Sequence, residues 1–317
     1  MEAWRRIDIR TRVLVDVSDR DPSTTVLGRR RPHPVIVAPT AVHRLAHPDG
    51  EQASARGAAA ADAIFCLSSL ATASPPEVAA AAPEGQRWFQ LYVFRDRGLS
   101  RDLLAEATES GYEAIVITVD LPVLGTRERD IRSQYVIPED IAAVSPAASS
   151  QRKPFGLMQI GDLIDPSLTW ADVEEFASDC NLPVLVKGVL TPEDARLAAA
   201  HGVAGVVVSN HGGRQLDTVP AGAEALPAIV NAVGDQVDVI VDGGVRRGTD
   251  VLKALALGAK AVMVGRPVIW GLAVGGEDGV RTVLELLTSE FDVALALAGV
   301  PSASAIDSTC VEMRSSG

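Results

Sequence analysis

The sequence is poor in the residues that staple, export or anchor a protein. Only three cysteines occur in 317 residues, Cys66, Cys180 and Cys310. Their spacing fits neither a disulfide framework nor a metal site, and a reducing compartment, the cytoplasm, is expected. No uncharged apolar stretch is long enough to span a membrane, and the opening MEAWRRIDIR lacks the apolar run of a signal peptide. The five histidines, His33, His43, His47, His201 and His211, form no spaced ligand set, so no metal is expected. GxSxG and HExxH are absent, and no GxGxxG precedes a helix with a later acid. Their absence leaves an esterase elbow, a zinc protease and a nicotinamide-dinucleotide domain unsupported. Positive charge is also in deficit, with 29 Lys and Arg against 41 Asp and Glu, a net charge of −12. That balance argues against nucleic acid and anionic membrane as partners, while a local arginine pair can still hold a small anion.

What is present is core-forming material: 47% of residues are apolar. Eight short apolar runs recur, at Val35–Pro39, Ala63–Ser69, Arg87–Tyr92, Ala114–Asp120, Pro183–Gly188, Gly205–Asn210, Asp238–Gly243 and Ala261–Gly265. Most are β-branched without polar alternation, the pattern of strands covered on both faces. Their starts are 28, 24, 27, 69, 22, 33 and 23 residues apart, the cadence of β-α units with one long interruption. Helix signals lie between them. Thr191-Pro192-Glu193-Asp194 is a cap, a first-turn proline and two acids, and Gly202 supplies a stop. Gly248-Thr249-Asp250 precedes Val251–Leu257, with Gly258 beyond.

Eight strands with helical crossovers point to an α/β fold, a (β/α)8 TIM barrel, as a single domain over residues 1–317. An open doubly wound sheet is the competing architecture. The polar residues favour closure, because Gln90, Tyr92, Thr118, Asp120, Lys187, Ser209, Asn210 and Asp242 fall in or at the C-terminal ends of different strands. A barrel brings those ends to one mouth; an open sheet spreads them along an edge. The long interval after strand 4, residues 121–170, reads as an active-site lid, against the plainer reading of a loop without chemistry.

Three stretches carry chemistry. Ser209-Asn210-His211-Gly212-Gly213-Arg214 places a proton acceptor and a carboxylate-binding arginine in a glycine turn at the mouth. Asp120 is positioned to fix the imidazole tautomer, and Arg127 can be a second arm for a carboxylate, or a solvated member of its charge run. Asp242-Gly243-Gly244-Val245-Arg246 and Gly265-Arg266 follow strands 7 and 8, the usual phosphate site of a barrel.

The chain resembles the FMN-dependent L-2-hydroxy-acid oxidases and dehydrogenases, which include glycolate oxidase, lactate oxidase and mandelate dehydrogenase. The matching segments are VIVAPTA (35–41), LSS (67–69), FQLYV (89–93), TVDLPVLGTRERD (118–130), LPVLVKGV (182–189), VVSNHGGRQLD (207–217) and VDGGVRRGTDVLKALALGAKAVMVGRP (241–267). Resemblance runs from about Arg12 onward. It implies FMN at the barrel mouth, its ring against Pro39, Thr40 and Ala41, with Ser68, Gln90 and Thr118 on its polar edges. Lys187 would face the edge where negative charge develops on reduction. Ser209 and Asp242 would bind the ribityl chain, and Gly243, Gly244, Arg246, Gly265 and Arg266 would surround the phosphate. Tyr92, Arg127 and Arg214 would hold the substrate, with His211 as base and Asp120 as its partner.

The implied reaction is oxidation of a small L-2-hydroxy acid to the 2-oxo acid, with oxygen as acceptor and hydrogen peroxide as product. Alternatives are a quinone- or carrier-linked dehydrogenase, a lactate 2-monooxygenase-like enzyme, a barrel isomerase, or an inactive FMN-binding relative. A homo-oligomer, tetramer or octamer, is implied as well. The chain departs from the family pattern in two places. Family members carry several tens of residues ahead of the region that begins here near Arg10, including helices that close the barrel bottom and a substrate-contacting tyrosine. Leu70 stands where glycolate-oxidase-like members have Trp, which implies a wider pocket, and the lid region is shorter than usual.

Overall fold

β-branched runs built for burial on both faces become the staves of a closed barrel. The computed structural model describes residues 1–133, 137–138, 141 and 161–314. Helix α1 (Glu2–Arg5), strand β1 (Ile7–Ile9) and the hairpin β2 (Thr24–Val26) to β3 (Arg29–Arg31) precede the first stave, β4 (Val35–Val37). Then come α2 (Gly50–Ala60), β5 (Ile64–Ser68), α3 (Pro75–Ala81), β6 (Arg87–Leu91), α4 (Arg97–Glu109) and β7 (Ile115–Thr118). After α5 (Glu128–Ser133) and α6 (Trp170–Asp179) follow β8 (Val184–Val189), α7 (Pro192–Ala200), β9 (Gly205–Val208) and α8 (Gly222–Val233). The chain continues through β10 (Asp238–Asp242), α9 (Gly248–Ala256), β11 (Ala261–Val264) and the long α10 (Arg266–Ala298), and β12 (Val311–Met313) pairs back antiparallel onto β1.

Strands β4 to β11 close into a parallel eight-stranded barrel, each beside its neighbour in sequence, with β11 returning to β4. This is the expected (β/α)8 barrel, and all eight predicted strands are present. Seven of them end one to two residues earlier than the apolar runs suggested. The trimmed residues include Pro39, Asp120, Asn210, Gly243 and Gly265, where the chain leaves the ladder to form the mouth. Ile36, Ile64, Cys66, Trp88, Val116, Leu185, Val207, Ile240 and Met263 fill the barrel interior. Alternate residues, such as Val37, Phe65, Phe89 and Ile117, point outward into the larger core beneath the helices.

The barrel bottom is closed by the β2–β3 hairpin. Val26 is buried among the interior residues, and Leu27 packs against them while its N–H donates to Asp238 Oδ2 at 2.6 Å. The hairpin thus plugs the bottom of the barrel. The caps at α7 are as read: the Thr191 hydroxyl accepts from Asp194 N, and Gly202 adopts φ +75. Helix α9 starts at Gly248, three residues before the apolar run. The lid expected over 121–170 is described over 121–133, 137–138, 141 and 161–170; residues 134–136, 139–140 and 142–160 lie outside the described residues.

Candidate active site

A cavity of about 390 Å³ opens at the C-terminal end of the barrel. Of the residues singled out in the sequence, all line it but Asp120, Ser209, Asn210 and Gly213; Asp120 is bonded to the lining residue His211 and Ser209 to the lining residue Lys187. The distant segments 39–41, 68–92, 118–127, 187, 211–214, 242–246 and 265–266 thus converge on one space.

His211 sits in a left-handed turn, φ 56, followed by Gly212 and Gly213 at φ 69 and 72. The turn is pinned by Gly213 N–H donating to Asn210 O at 2.9 Å. It brings His211 Nδ1 to 2.8 Å from Asp120 Oδ1 and Nε2 to 3.4 Å from the Tyr92 hydroxyl. With its Nδ1 proton committed to Asp120, the ring presents a lone pair at Nε2, facing the cavity. Gln215 straps the two loops together. Its Nε2 donates to Asp120 O at 3.0 Å and Val123 O at 3.1 Å, and its Oε1 accepts from Gly125 N at 3.2 Å.

Arg127 and Arg214 line the same end of the cavity, with Leu70, Leu121 and Leu124 as its apolar surface. Burial pushes the Tyr92 phenol up to about 12, although the positive charges of Lys187, Arg127 and Arg214 pull the other way. Tyr92 is therefore a neutral hydrogen-bond donor at working pH.

The cofactor end is a row of linked polar groups. The Ser68 hydroxyl donates to Gln90 Oε1 at 3.0 Å, and Gln90 Nε2 donates to Thr118 Oγ1 at 3.0 Å, so β5, β6 and β7 present one continuous polar edge. Lys187 Nζ lies 2.9 Å from Asp242 Oδ2 and donates to Ser209 Oγ at 2.8 Å. Burial disfavours the Lys187 ammonium, but the charges of Asp242 and Asp120 and a smaller contribution from Tyr92 outweigh it and leave the pKa raised. The Lys187 ammonium is thereby favoured in the cavity lining. Ser209 also accepts from the backbone N–H of His211 at 3.0 Å, which ties the base to the same cation.

Several groups at this end fit a bound flavin mononucleotide. Asp242 Oδ1 is buried without a protein partner, as an acceptor for a hydroxyl would be. Gly243 and Gly244 adopt φ +90 and +78, and a Cβ on Gly244 would lie 2.5 Å from Met1 N, so the loop tolerates only glycine there. Arg246 and Arg266 have no carboxylate ion-pair partner among the described residues. Burial and the neighbouring Arg266 charge both lower the Arg246 pKa. Two adjacent unneutralised guanidiniums beside a glycine turn suit a dianionic phosphate.

Four contributors were not legible in advance. Trp270 stacks under Arg246, 5.1 Å from guanidinium carbon to ring centroid. Trp4 is buried and donates from Nε1 to Gly243 O at 2.9 Å, bracing the glycine turn from the first helix. Gly188 and Gln215 lie inside segments that were noticed, but their roles depend on loops that only folding brings together.

A phosphate-ready glycine turn, a buried cation and a His–Asp base that share one barrel mouth define a flavin-dependent oxidoreductase of α/β-barrel type. The chain belongs to the FMN-dependent dehydrogenase family, whose profile matches residues 1–313. The match reaches to the first residue, further than the segment from Arg12 that the motifs had suggested. Its cofactor is FMN. It is 50% identical over 311 residues to glycolate oxidase 1 of Zea mays, covering 95% of this chain and 83% of that one. It is 47% identical over 320 residues to 2-hydroxyacid oxidase 1 of Mus musculus, covering 98% and 86%. Among solved structures, mandelate oxidase with (S)-4-hydroxymandelic acid superposes with a TM-score of 0.91 at 45% identity, covering 96% of this chain and 87% of that one.

Proposed function

We propose that this enzyme oxidises an L-2-hydroxy acid to the 2-oxo acid with FMN and passes the electrons to molecular oxygen, giving hydrogen peroxide. The observation that carries the reading is the shared cavity: His211, oriented by Asp120, faces the space that Arg127, Arg214, Tyr92 and Lys187 also border. The relatives named glycolate oxidase and 2-hydroxyacid oxidase support it, and their names favour oxygen over a quinone or protein carrier.

Each side chain has a part. Arg127 and Arg214 grip the substrate carboxylate, and their planar forks fix its orientation. The Tyr92 hydroxyl donates to the substrate oxygen. His211 Nε2 accepts the proton the substrate loses, and Asp120 stabilises the imidazolium that results. Bound FMN supplies the two-electron acceptor. Lys187 offsets negative charge that arises at the cofactor edge of the site.

Leu70 in the wall and the likeness to mandelate oxidase structures support a substrate with an apolar side chain larger than that of glycolate. A homo-oligomer, tetramer or octamer, is supported by an uncovered apolar face. Leu286, Val293 and Leu297 are 59%, 51% and 72% exposed along one side of α10. Three free cysteines agree with the cytoplasm.

Anaerobic mixing with glycolate, L-lactate and L-mandelate, followed at the flavin absorbance and then by admission of air, tests the reading. Bleaching by a hydroxy acid and recovery in air with stoichiometric peroxide is expected. Flavin that no 2-hydroxy acid reduces would sink the activity, and reduced flavin that persists in air would sink oxygen as acceptor. Light scattering that reports a monomer at micromolar protein would sink the oligomer.

A further inference from the structure

Behind the wall formed by Thr40 and Val42 lies a buried polar cluster that the reaction above does not use. Glu51, His43 and Ser54 are 1%, 2% and 0% exposed. Glu51 Oε1 accepts from the backbone N–H of His43 at 2.9 Å and of Thr72 at 3.0 Å, and Oε2 accepts from the Thr72 hydroxyl. One carboxylate thus ties the segment after β4 to the segment after β5. Next to His43 stands Val42, a β-branched residue at φ 55 in the cavity wall, whose N–H donates to Leu70 O at 3.2 Å. Such a conformation persists only where the surroundings over-determine it.

The proton directions in the cluster follow from its partners. Ser54 Oγ lies 3.3 Å from Gly50 O and 2.8 Å from His43 Nδ1; in the tautomer that leaves the Ser54 proton on the Gly50 carbonyl, Nδ1–H donates to Ser54 Oγ. Burial pulls the His43 pKa down despite the nearby Glu51 charge and a backbone hydrogen bond to Thr40, so the ring is neutral, and in that tautomer Nε2 bears a lone pair. The partner of Nε2 is the Thr40 hydroxyl. A hydroxyl has one proton, and that of Thr40 is committed to His43. Towards the cavity, which Thr40 lines, only its oxygen lone pairs remain.

We propose that His43 is a positioning residue of the cofactor site: by taking the only proton of Thr40 it makes that hydroxyl an acceptor towards bound flavin, and so favours the reduced form. Two-electron reduction places a proton on a ring nitrogen and creates a donor that the oxidised ring lacks. An acceptor-only group against the ring therefore interacts better with the reduced state, and a group that discriminates between redox states moves the potential. The inference rests on the reading that FMN lies against Pro39, Thr40 and Ala41.

The test is the midpoint potential of the holoenzyme, measured by equilibration with a reference dye, beside FMN affinity from titration of the apoprotein. Thr40→Val and His43→Leu should each lose about tenfold of the preference for the reduced form, ~30 mV for a two-electron couple. Thr40→Ser keeps the hydroxyl and His43→Gln can place a carbonyl near Nε2, so both should stay near the wild-type potential. A purely structural role would weaken FMN equally in both redox states and leave the potential unmoved. That result in Thr40→Val, which is nearly isosteric and carries the test if His43→Leu does not fold, would overturn the proposal. A raised potential in His43→Leu would overturn it too, because it means the relay runs the other way. Failure of the wild-type chain to bind FMN would overturn the functional reading and this proposal together, whereas normal FMN binding with unmoved potentials would overturn the proposal alone.

Discussion

Gly188 and Asp120 approach so closely that a Cβ on the glycine would lie 2.5 Å from Cβ and Cγ of the aspartate. Gly188 has φ +113 and sits at a bulge in β8, where Lys187 pairs with Val207 but Val189 pairs with Val208. The bulge places Lys187 beneath the cavity and leaves room for the carboxylate that orients His211.

Gly188→Ala should therefore damage catalysis more than folding. The added methyl must push Asp120 aside and also strains a backbone conformation that favours glycine. We expect kcat to fall ~10–100-fold with FMN still bound, since a small misplacement near reacting groups costs about that much. Stopped-flow flavin reduction beside a thermal melt checks this. An unchanged reduction rate would mean that Asp120 does not depend on the bulge.

His211→Ala should keep FMN, whose proposed contacts lie elsewhere, and lose ~10²–10⁴-fold in anaerobic flavin reduction. Asp120→Asn should lower the same rate constant, because its amide can accept from Nδ1 but does not stabilise an imidazolium. A wild-type reduction rate in the His211 variant would remove it as the base.

The barrel was readable because each stave is a β-branched run and the helices between carry caps and glycine stops. The site was readable where its chemistry is local, as in Ser209-Asn210-His211 or Asp242-Gly243-Gly244. What stayed hidden depends on long-range meetings. Nothing near Gly188 in the sequence shows that Asp120 will lie against it, and nothing near Trp4 shows that it will brace Gly243. The hairpin plug escaped notice because its strands are three residues each and one of them is Arg29-Arg30-Arg31.

The Lys187–Asp242 pair predicts a pH dependence. Lys187 has its folded pKa raised above the ordinary 10.5. A raised lysine stabilises the fold fully below its unfolded pKa, and the contribution fades as pH rises through the higher folded value. Lys187→Met should destabilise by ~3–5 kcal/mol, because it strands a buried carboxylate. The difference in chemical denaturation between wild type and variant should be flat from about pH 7 to about pH 9. A difference that decays within that window would show that the ammonium is lost far earlier than its surroundings dictate.

Leu70 offers the sharpest test of substrate size. It is 6% exposed and lines the cavity beside Ser68, and its N–H donates to the Ser68 hydroxyl at 3.2 Å, which fixes the backbone from which the side chain projects. Its neighbours Leu121 and Leu124 are apolar as well, so a substrate side chain that enters here exchanges water for hydrocarbon. Each additional methylene that fits a hydrophobic pocket is worth about 1–3 kcal/mol of discrimination. L-Lactate and longer or aromatic L-2-hydroxy acids should therefore exceed glycolate in kcat/KM, by ~10–200-fold per well-fitted methylene at most. Leu70→Trp would fill the space that a larger substrate needs, while the carboxylate arms Arg127 and Arg214 stay in place. The ratio across a chain-length series should then shift towards glycolate, with the reduction rate for glycolate itself little changed. A wild-type preference for glycolate, or a ratio that Leu70→Trp leaves unmoved, would show that some other wall sets the size of the substrate.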